Sequence, residues 1–195
     1  YMKKKIILGI LAVIIAAAAF IGYTLFKPAV SNKKDSYFYI RTGDDVATVK
    51  KNLVSQQYIS GGSFDMVCKF LKYKKAKPGR YKLQDGMSLY KLVKMLRSGS
   101  QAEVKMVINK ERTKEIFAGK IGTGKKYDLE CDSLQMINFM NNNDSLKKYG
   151  VDSNTVMSIV MPYTYNLKWN SNPGKIFQQF YTAYQKFWTD ERKVK

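Results

Sequence analysis

The stretch KPGRYKLQDGMSL, Lys77 to Leu89, organises the middle of the chain. Pro78-Gly79 breaks the preceding segment, Arg80-Tyr-Lys-Leu83 reads as a short strand, and Gln84-Asp85-Gly86 reads as a turn. Ser88 then stands where a helix N-cap is wanted, because its hydroxyl can accept from an unpaired amide of the first turn. Leu89, Leu92, Val93 and Leu96 recur every three or four residues, which predicts a helix with one apolar face, stopped by Ser98-Gly99. Upstream, Tyr37-Phe-Tyr-Ile-Arg41 predicts a strand, broken by Thr42-Gly43. Asp44-Asp45 offers an N-cap for a helix that turns Val46, Val49, Leu53 and Val54 inward. Gly61-Gly62-Ser63 predicts a turn with Ser63 as cap, followed by a helix burying Phe64, Val67, Cys68 and Leu71. Ala102 to Ile108 alternates as a further strand. The order β-α-α-β-α-β predicts one small α+β module over residues 36–108, with a further α+β portion over 109–195.

The first thirty residues differ in kind. Lys3-Lys4-Lys5 precede an uncharged run from Ile6 to Phe26, closed by Lys27-Pro28. At about 1.5 Å per helical residue, about twenty such residues cross about 30 Å of hydrocarbon. The rival reading is a cleaved secretory signal, since Ala16-Ala17-Ala18-Ala19 offers the small residues that signal peptidases accept. The run continues through Phe20, Ile21, Tyr23, Leu25 and Phe26, longer than a usual signal core, which favours an uncleaved transmembrane helix over 6–26. Lysines ahead of the span, with none in a block until Lys33-Lys34, predict a short cytoplasmic tail (1–5), a linker (27–35) and an extracytoplasmic remainder.

Composition then narrows the chemistry. A chain of 195 residues with 45% hydrophobic and 25% charged content suits an ordinary fold. There is no histidine, so histidine-based triads and zinc hydrolase motifs are excluded within this sequence. Cys68 and Cys131 form neither a disulfide framework nor a four-ligand zinc site, and both sit beside apolar neighbours, as buried thiols do, with a single bridge between them as the alternative. No metal or cofactor is expected. The net charge of +19 invites a nucleic-acid reading, but the lysines are scattered and outside a membrane the polyanions within reach are lipid headgroups and wall polymers. No nucleic-acid partner is expected.

Lys77 to Leu89, followed by Lys91-Leu92-Val93 and Leu96-Arg97-Ser98-Gly99, resembles the "aGxY.l..gms..eil..L..G" signature of the YceG-like endolytic murein transglycosylases. The supporting pieces fall in order: the apolar span, Ile40-Arg-Thr-Gly43, the Phe64 helix, and Val107 to Ile116, which is similar to the family's "ipEG.t..qia" segment with Glu111 on its glutamate. The resemblance implies a single-span inner-membrane protein whose outer part begins with a LysM-like module and continues into a catalytic domain. It implies a lyase that cuts nascent peptidoglycan strands near the membrane, beside the peptidoglycan synthases.

Near the end of the chain, Met161-Pro-Tyr-Thr-Tyr-Asn-Leu-Lys-Trp169 resembles the family's "F.P.TY...W" segment, with Pro162, Thr164, Tyr165 and Trp169 on the matching positions. Tyr163 stands where many relatives carry Asp or Asn, and Ser158 replaces a common glycine. A flat aromatic can stack on the apolar face of a pyranose while hydroxyls address its rim, so Pro162, Thr164, Tyr165, Trp169 and, by the resemblance, Glu111 are the candidate substrate contacts. The plainer reading is an aromatic-rich turn packed on the Phe177-Phe180-Tyr184-Trp188 helix.

The reaction implied by the resemblance breaks the muramyl–glucosaminyl bond without water, the muramyl 6-hydroxyl closing an anhydro ring. One carboxyl must give a proton to the leaving oxygen and take one from the hydroxyl, which calls for a raised pKa. In the family this is a glutamate in a motif like "aSIvEkEt". Ser158-Ile159-Val160 is the nearest match, but Met161 follows where glutamate is needed. Glu111 and Glu115 read as helix-start acids, and Glu130 and Glu191 as solvated ones. The catalytic glutamate is therefore expected beyond Lys195, with the present chain an inactive portion of the enzyme. The alternatives are a catalytically silent, membrane-tethered binder of peptidoglycan and a cleaved, secreted cationic protein.

Overall fold

A computed structural model describes residues 2–32, 36–189 and 192, with side chains from residue 9 onward. Lys33, Lys34 and Glu191, which entered the sequence reading, lie outside the described residues, as do the side chains of Lys3 to Lys5. The chain is mixed α+β and divides into two compact units, residues 1–101 and 102–195.

The first unit begins with helix α1, Met2–Phe26. Its segment Gly9–Phe26 is the one described helix long and apolar enough to cross a membrane, and its outer surface stays uncovered, with Val13 69% and Phe20 70% exposed. Among its described side chains, only those of the last turn are buried, at Thr24 and Leu25. Strand β1 (Tyr37–Ile40) pairs antiparallel with β2 (Gly79–Lys82), Tyr37 opposite Lys82 and Ile40 opposite Gly79. Between them lie helices α2 (Val46–Ser55) and α3 (Phe64–Phe70), and α4 (Leu89–Ser98) follows.

The local causes are those expected. The Asp45 side chain accepts from Thr48 N to start α2, and Ser88 Oγ accepts from Lys91 N to start α4. Gly99 closes α4 at φ 75°, a left-handed value that a Cβ would penalise. Gly79 has φ 155°, and a Cβ there would come within 2.7 Å of the Gln101 side chain. Phe38, Ile40, Val49, Leu53, Phe64, Val67, Tyr81 and the Leu92-Val93-Leu96 face of α4 fill the core. Two details differ from the sequence reading. Ser63 makes no side-chain cap bond to α3, and Val54 is 39% exposed because the buried stripe of α2 runs through Val49 and Leu53.

The second unit holds the larger difference. Strand β3 (Glu103–Ile108), expected to complete the first module, pairs antiparallel with β4 (Tyr163–Lys168), from Glu103 opposite Lys168 to Ile108 opposite Tyr163. The alternation of Val104, Met106 and Ile108 is real, but it faces this unit's core. Alternation sets which face is buried and leaves the partner strand open. Helices α5 (Lys114–Gly119), α6 (Ser133–Asn141), α7 (Asn143–Lys147), a 3-10 turn (Val156–Ile159) and α8 (Pro173–Phe187) complete the unit. Asp132 and Gln135 form a reciprocal capping box on α6. Phe117, Phe177 and Phe180 meet Tyr165 and Tyr149 in an aromatic core, the Tyr165–Phe180 pair edge-on at 4.7 Å.

Candidate functional site: a groove along β4 and α8

Within the segment 161–169, Tyr163–Lys168 form strand β4 where a turn was one reading. Its alternation sends Tyr165, Leu167 and Trp169 into the core and leaves Pro162, Tyr163, Thr164 and Asn166 outside. Helix α8 starts on Asn172, whose Oδ1 accepts from Lys175 N at 2.9 Å, with Pro173 in the first turn. One stripe of α8, Ile176, Phe177 and Phe180, is buried. A second stripe, Gln179, Thr182, Ala183 and Lys186, recurs at helical spacing and forms one wall of a groove of about 690 Å³ whose other wall is Met161 to Asn166.

This groove has a sorted chemistry. Tyr163, 61% exposed, stacks edge-on against Tyr165 at 5.4 Å and presents its ring to the opening. Tyr165 donates its hydroxyl proton to Met161 O at 3.2 Å. Burial, and then the neighbouring Tyr163, pushes the Tyr165 phenol up to about 12, so it stays a neutral donor at ordinary pH. Thr164, Asn166, Gln179 and Thr182 supply hydroxyls and amides, while Lys186 and Arg192 bring positive charge. The Arg192 guanidinium lies over the Phe187 ring at 4.6 Å and donates to Phe187 O at 2.9 Å. Among the described residues no acid lines the groove.

Of the residues singled out from the sequence, Pro162, Thr164 and Tyr165 line the groove together. Trp169 does not: its ring is 2% exposed in the core, and its carbonyl accepts from Glu130 N at 2.9 Å. Glu111 is elsewhere in the unit and is no solvated helix-start acid. Helix α5 starts later, on the Thr113 cap, and the Glu111 side chain is 2% exposed. Tyr127 donates its hydroxyl to Glu111 Oε1 at 2.9 Å, Lys120 pairs with Oε2, and Lys126 Nζ lies 3.7 Å from Oε1. Burial alone would raise this carboxyl, but the bonds from Lys120 and Tyr127 and the charges of Lys120 and Lys126 outweigh it and hold it below the ordinary glutamate value. Tyr127 is pushed the other way, first by burial and then by its bond to Glu111. Glu115 sits in the first turn of α5, as its spacing predicts.

The polar stripe of α8 went unread in the sequence, although its three- and four-residue spacing was visible there. The Tyr127 and Lys120 partners of Glu111 had no such signal, since only the chain's return brings them together. Both cysteines are free and buried. Among the described residues no cluster of three or more His, Cys, Asp or Glu could hold a metal ion.

Against known proteins, the sequence model of the YceG-like family matches residues 38–195. The chain belongs to the YceG-like family. The family's match takes in the first unit from β1 onward and the whole second unit with its groove. A solved structure of a yceG-like protein from Listeria monocytogenes is similar at 19% identity and a TM-score of 0.40, over 83% of this chain and 58% of that one. The chain thus spans 58% of the length of that relative. No curated protein matches it.

Proposed function

We propose that the protein is a membrane-anchored lytic transglycosylase that cuts peptidoglycan glycan strands, leaving 1,6-anhydromuramyl ends. The observation that carries the reading is the family match over residues 38–195, which includes the groove built on Pro162, Thr164 and Tyr165. Helix α1 anchors the protein with its N-terminus in the cytoplasm, and both units work outside, alongside the synthases that supply nascent strands. The first unit, in which β1, α2, α3 and β2 close an antiparallel pair, acts as a LysM-like module on the same glycan.

Within this scheme the groove binds and orients. Exposed aromatic rings and hydroxyls suit a chain of pyranoses, whose faces are apolar and whose rims are polar. Glu111 is not the proton donor, because a general acid for this reaction needs a raised pKa and Glu111 is held low by two lysines and a tyrosine. It positions instead, tying the end of β3 to the segment around Lys120 and Tyr127.

The test is to incubate the gene's full product, embedded in lipid, with isolated sacculi and to analyse the products by mass spectrometry. Anhydromuramyl termini accumulating with time are expected. Retention on insoluble peptidoglycan through moderate salt, with no anhydro ends formed, overturns the enzyme reading in favour of a tethered binder.

A further inference from the structure

Residues 27–32 lie in the segment expected as a linker, yet they are fastened to the first unit along their length. Ala29 N and Val30 N donate to Met87 O at 3.2 and 3.0 Å, Gly86 N donates to Val30 O at 2.9 Å, and Pro28 bridges to Ser88. Asn32 N donates to Asp85 Oδ1 at 2.8 Å, and Asn32 Nδ2 donates to Leu83 O at 2.6 Å. Leu25 and Val30 are part of the same core as Phe38 and Leu92. The last turn of α1 is therefore both the end of the apolar segment and a built-in part of the folded unit. Since Gly9–Phe26 already reaches that turn, the surface of any bilayer it crosses must pass beside α4.

That junction has the composition of a membrane interface. Tyr23 and Phe26 are 67% and 63% exposed, and Phe26 stacks on Tyr90 of α4 at 5.2 Å. Lys27 Nζ lies 5.5 Å from the Tyr23 ring, and Lys94 Nζ lies 6.0 Å from the Tyr90 ring, one helical turn along α4. Amphipathic rings interleaved with lysines are what headgroup depth selects. The charge balance agrees: residues 27–101 carry 16 lysines and arginines against five acids, whereas 102–195 carry 15 against ten.

We infer that the end of α1 and the exposed side of α4 form one interfacial collar, Tyr23, Phe26, Lys27, Tyr90 and Lys94, that seats the first unit on anionic phospholipid headgroups. The inference rests on the proposed anchoring by α1. Its consequence is a first unit held at the bilayer surface by a rigid joint, so that its reach into the wall is set by its own dimensions rather than by a tether.

The test uses the full chain in nanodiscs of phosphatidylcholine, with or without phosphatidylglycerol. It carries a nitroxide at Ala17→Cys, Lys51→Cys or Lys94→Cys in turn. Cys68 and Cys131 are buried, and burial pushes their thiols up to about 11 and about 12, so the label goes to the introduced cysteine. With the Ala17 label in hydrocarbon, the Lys94 label is expected to meet a water-soluble nickel chelate several-fold less often than the Lys51 label. That gap is expected to narrow without phosphatidylglycerol, at high salt, or with Lys27→Gln added. Equal accessibility at 94 and 51, with Ala17 buried in lipid, overturns the collar and leaves the anchor standing. A gap of the same size in both kinds of disc overturns the choice of anionic headgroups. An Ala17 label open to the chelate overturns the anchor, and the collar with it.

Discussion

Both sheets among the described residues are two-stranded and antiparallel, but they are reached by different routes. In the first unit, β1 and β2 enclose only α2 and α3, and every element announces itself by a cap, a turn or a helical stripe. In the second, β3 waits for β4 across residues 109–162, and the groove depends on that late pairing. The cores differ in the same sense. The first buries neutral polar groups such as Asn32, whose amide is satisfied by backbone carbonyls. The second buries a charge, Glu111, satisfied by side chains from a distant segment. The contrast teaches that local signals are enough to write a small module, whereas a binding surface at a strand edge is written by segments far apart.

The largest effects should come from the two cores. Phe180→Ala removes the ring that meets Phe117, Tyr165 and Phe177, and it should cost the second unit about 3–5 kcal/mol. Leu92→Ala should cost the first about 2–5 kcal/mol. Hydrogen exchange of the β3–β4 and β1–β2 amides measures each. A loss under about 1 kcal/mol at Phe180 would mean that the second core is loosely packed and the comparison ill-drawn.

Next comes the buried charge. Glu111→Ala removes a carboxylate bonded by Tyr127 and Lys120 and should cost about 2 kcal/mol, less than a fully enclosed pair because Lys120 is a third exposed. The pH sign follows from the lowered pKa. The folded carboxyl titrates below its unfolded value of 4.5, so its contribution is complete above that value and is lost as the pH falls through the lower folded value. Acid denaturation curves of wild type and Glu111→Gln should therefore converge at low pH. Curves that stay parallel would show that the charge pairing adds nothing.

Caps should matter less and about equally in the two units. Ser88→Ala and Asn172→Ala should each cost about 1 kcal/mol in denaturant titrations. A much larger loss at Ser88 would point to the Pro28 bridge rather than the cap.

The smallest change in stability, within about 0.5 kcal/mol, belongs to Tyr163→Ala, since the ring is 61% exposed. Retention on insoluble peptidoglycan should nevertheless fall. Unchanged retention would move glycan binding away from the groove and toward the first unit.

Much of the first unit was legible because its causes lie within a few residues. Asp45 and Ser88 cap the helices they precede, and Leu89, Leu92, Val93 and Leu96 declare a buried face by spacing alone. Two readings went further than such signals allow. Ser63 has the right residue type and place for a cap yet makes no cap bond, and the alternation over 102–108 named a strand without its partner. In the groove, Pro162, Thr164 and Tyr165 were visible through family resemblance, but Trp169, inward-facing like Tyr165, lies past the end of β4 and is buried in the core away from the groove.

Periodicity and motif order, which are properties of neighbours along the chain, were sufficient for the apolar helix, the mixed α+β class, the Asp45 and Ser88 caps, and the family. The pairing of β3 with β4, the burial of Glu111 on Tyr127 and Lys120, and the packing of the end of α1 against α4 came from the folded chain alone. The physical reason is shared. A residue type sets what a group needs, a partner strand, a countercharge or an apolar cover, while the chain's return through space sets which group supplies it.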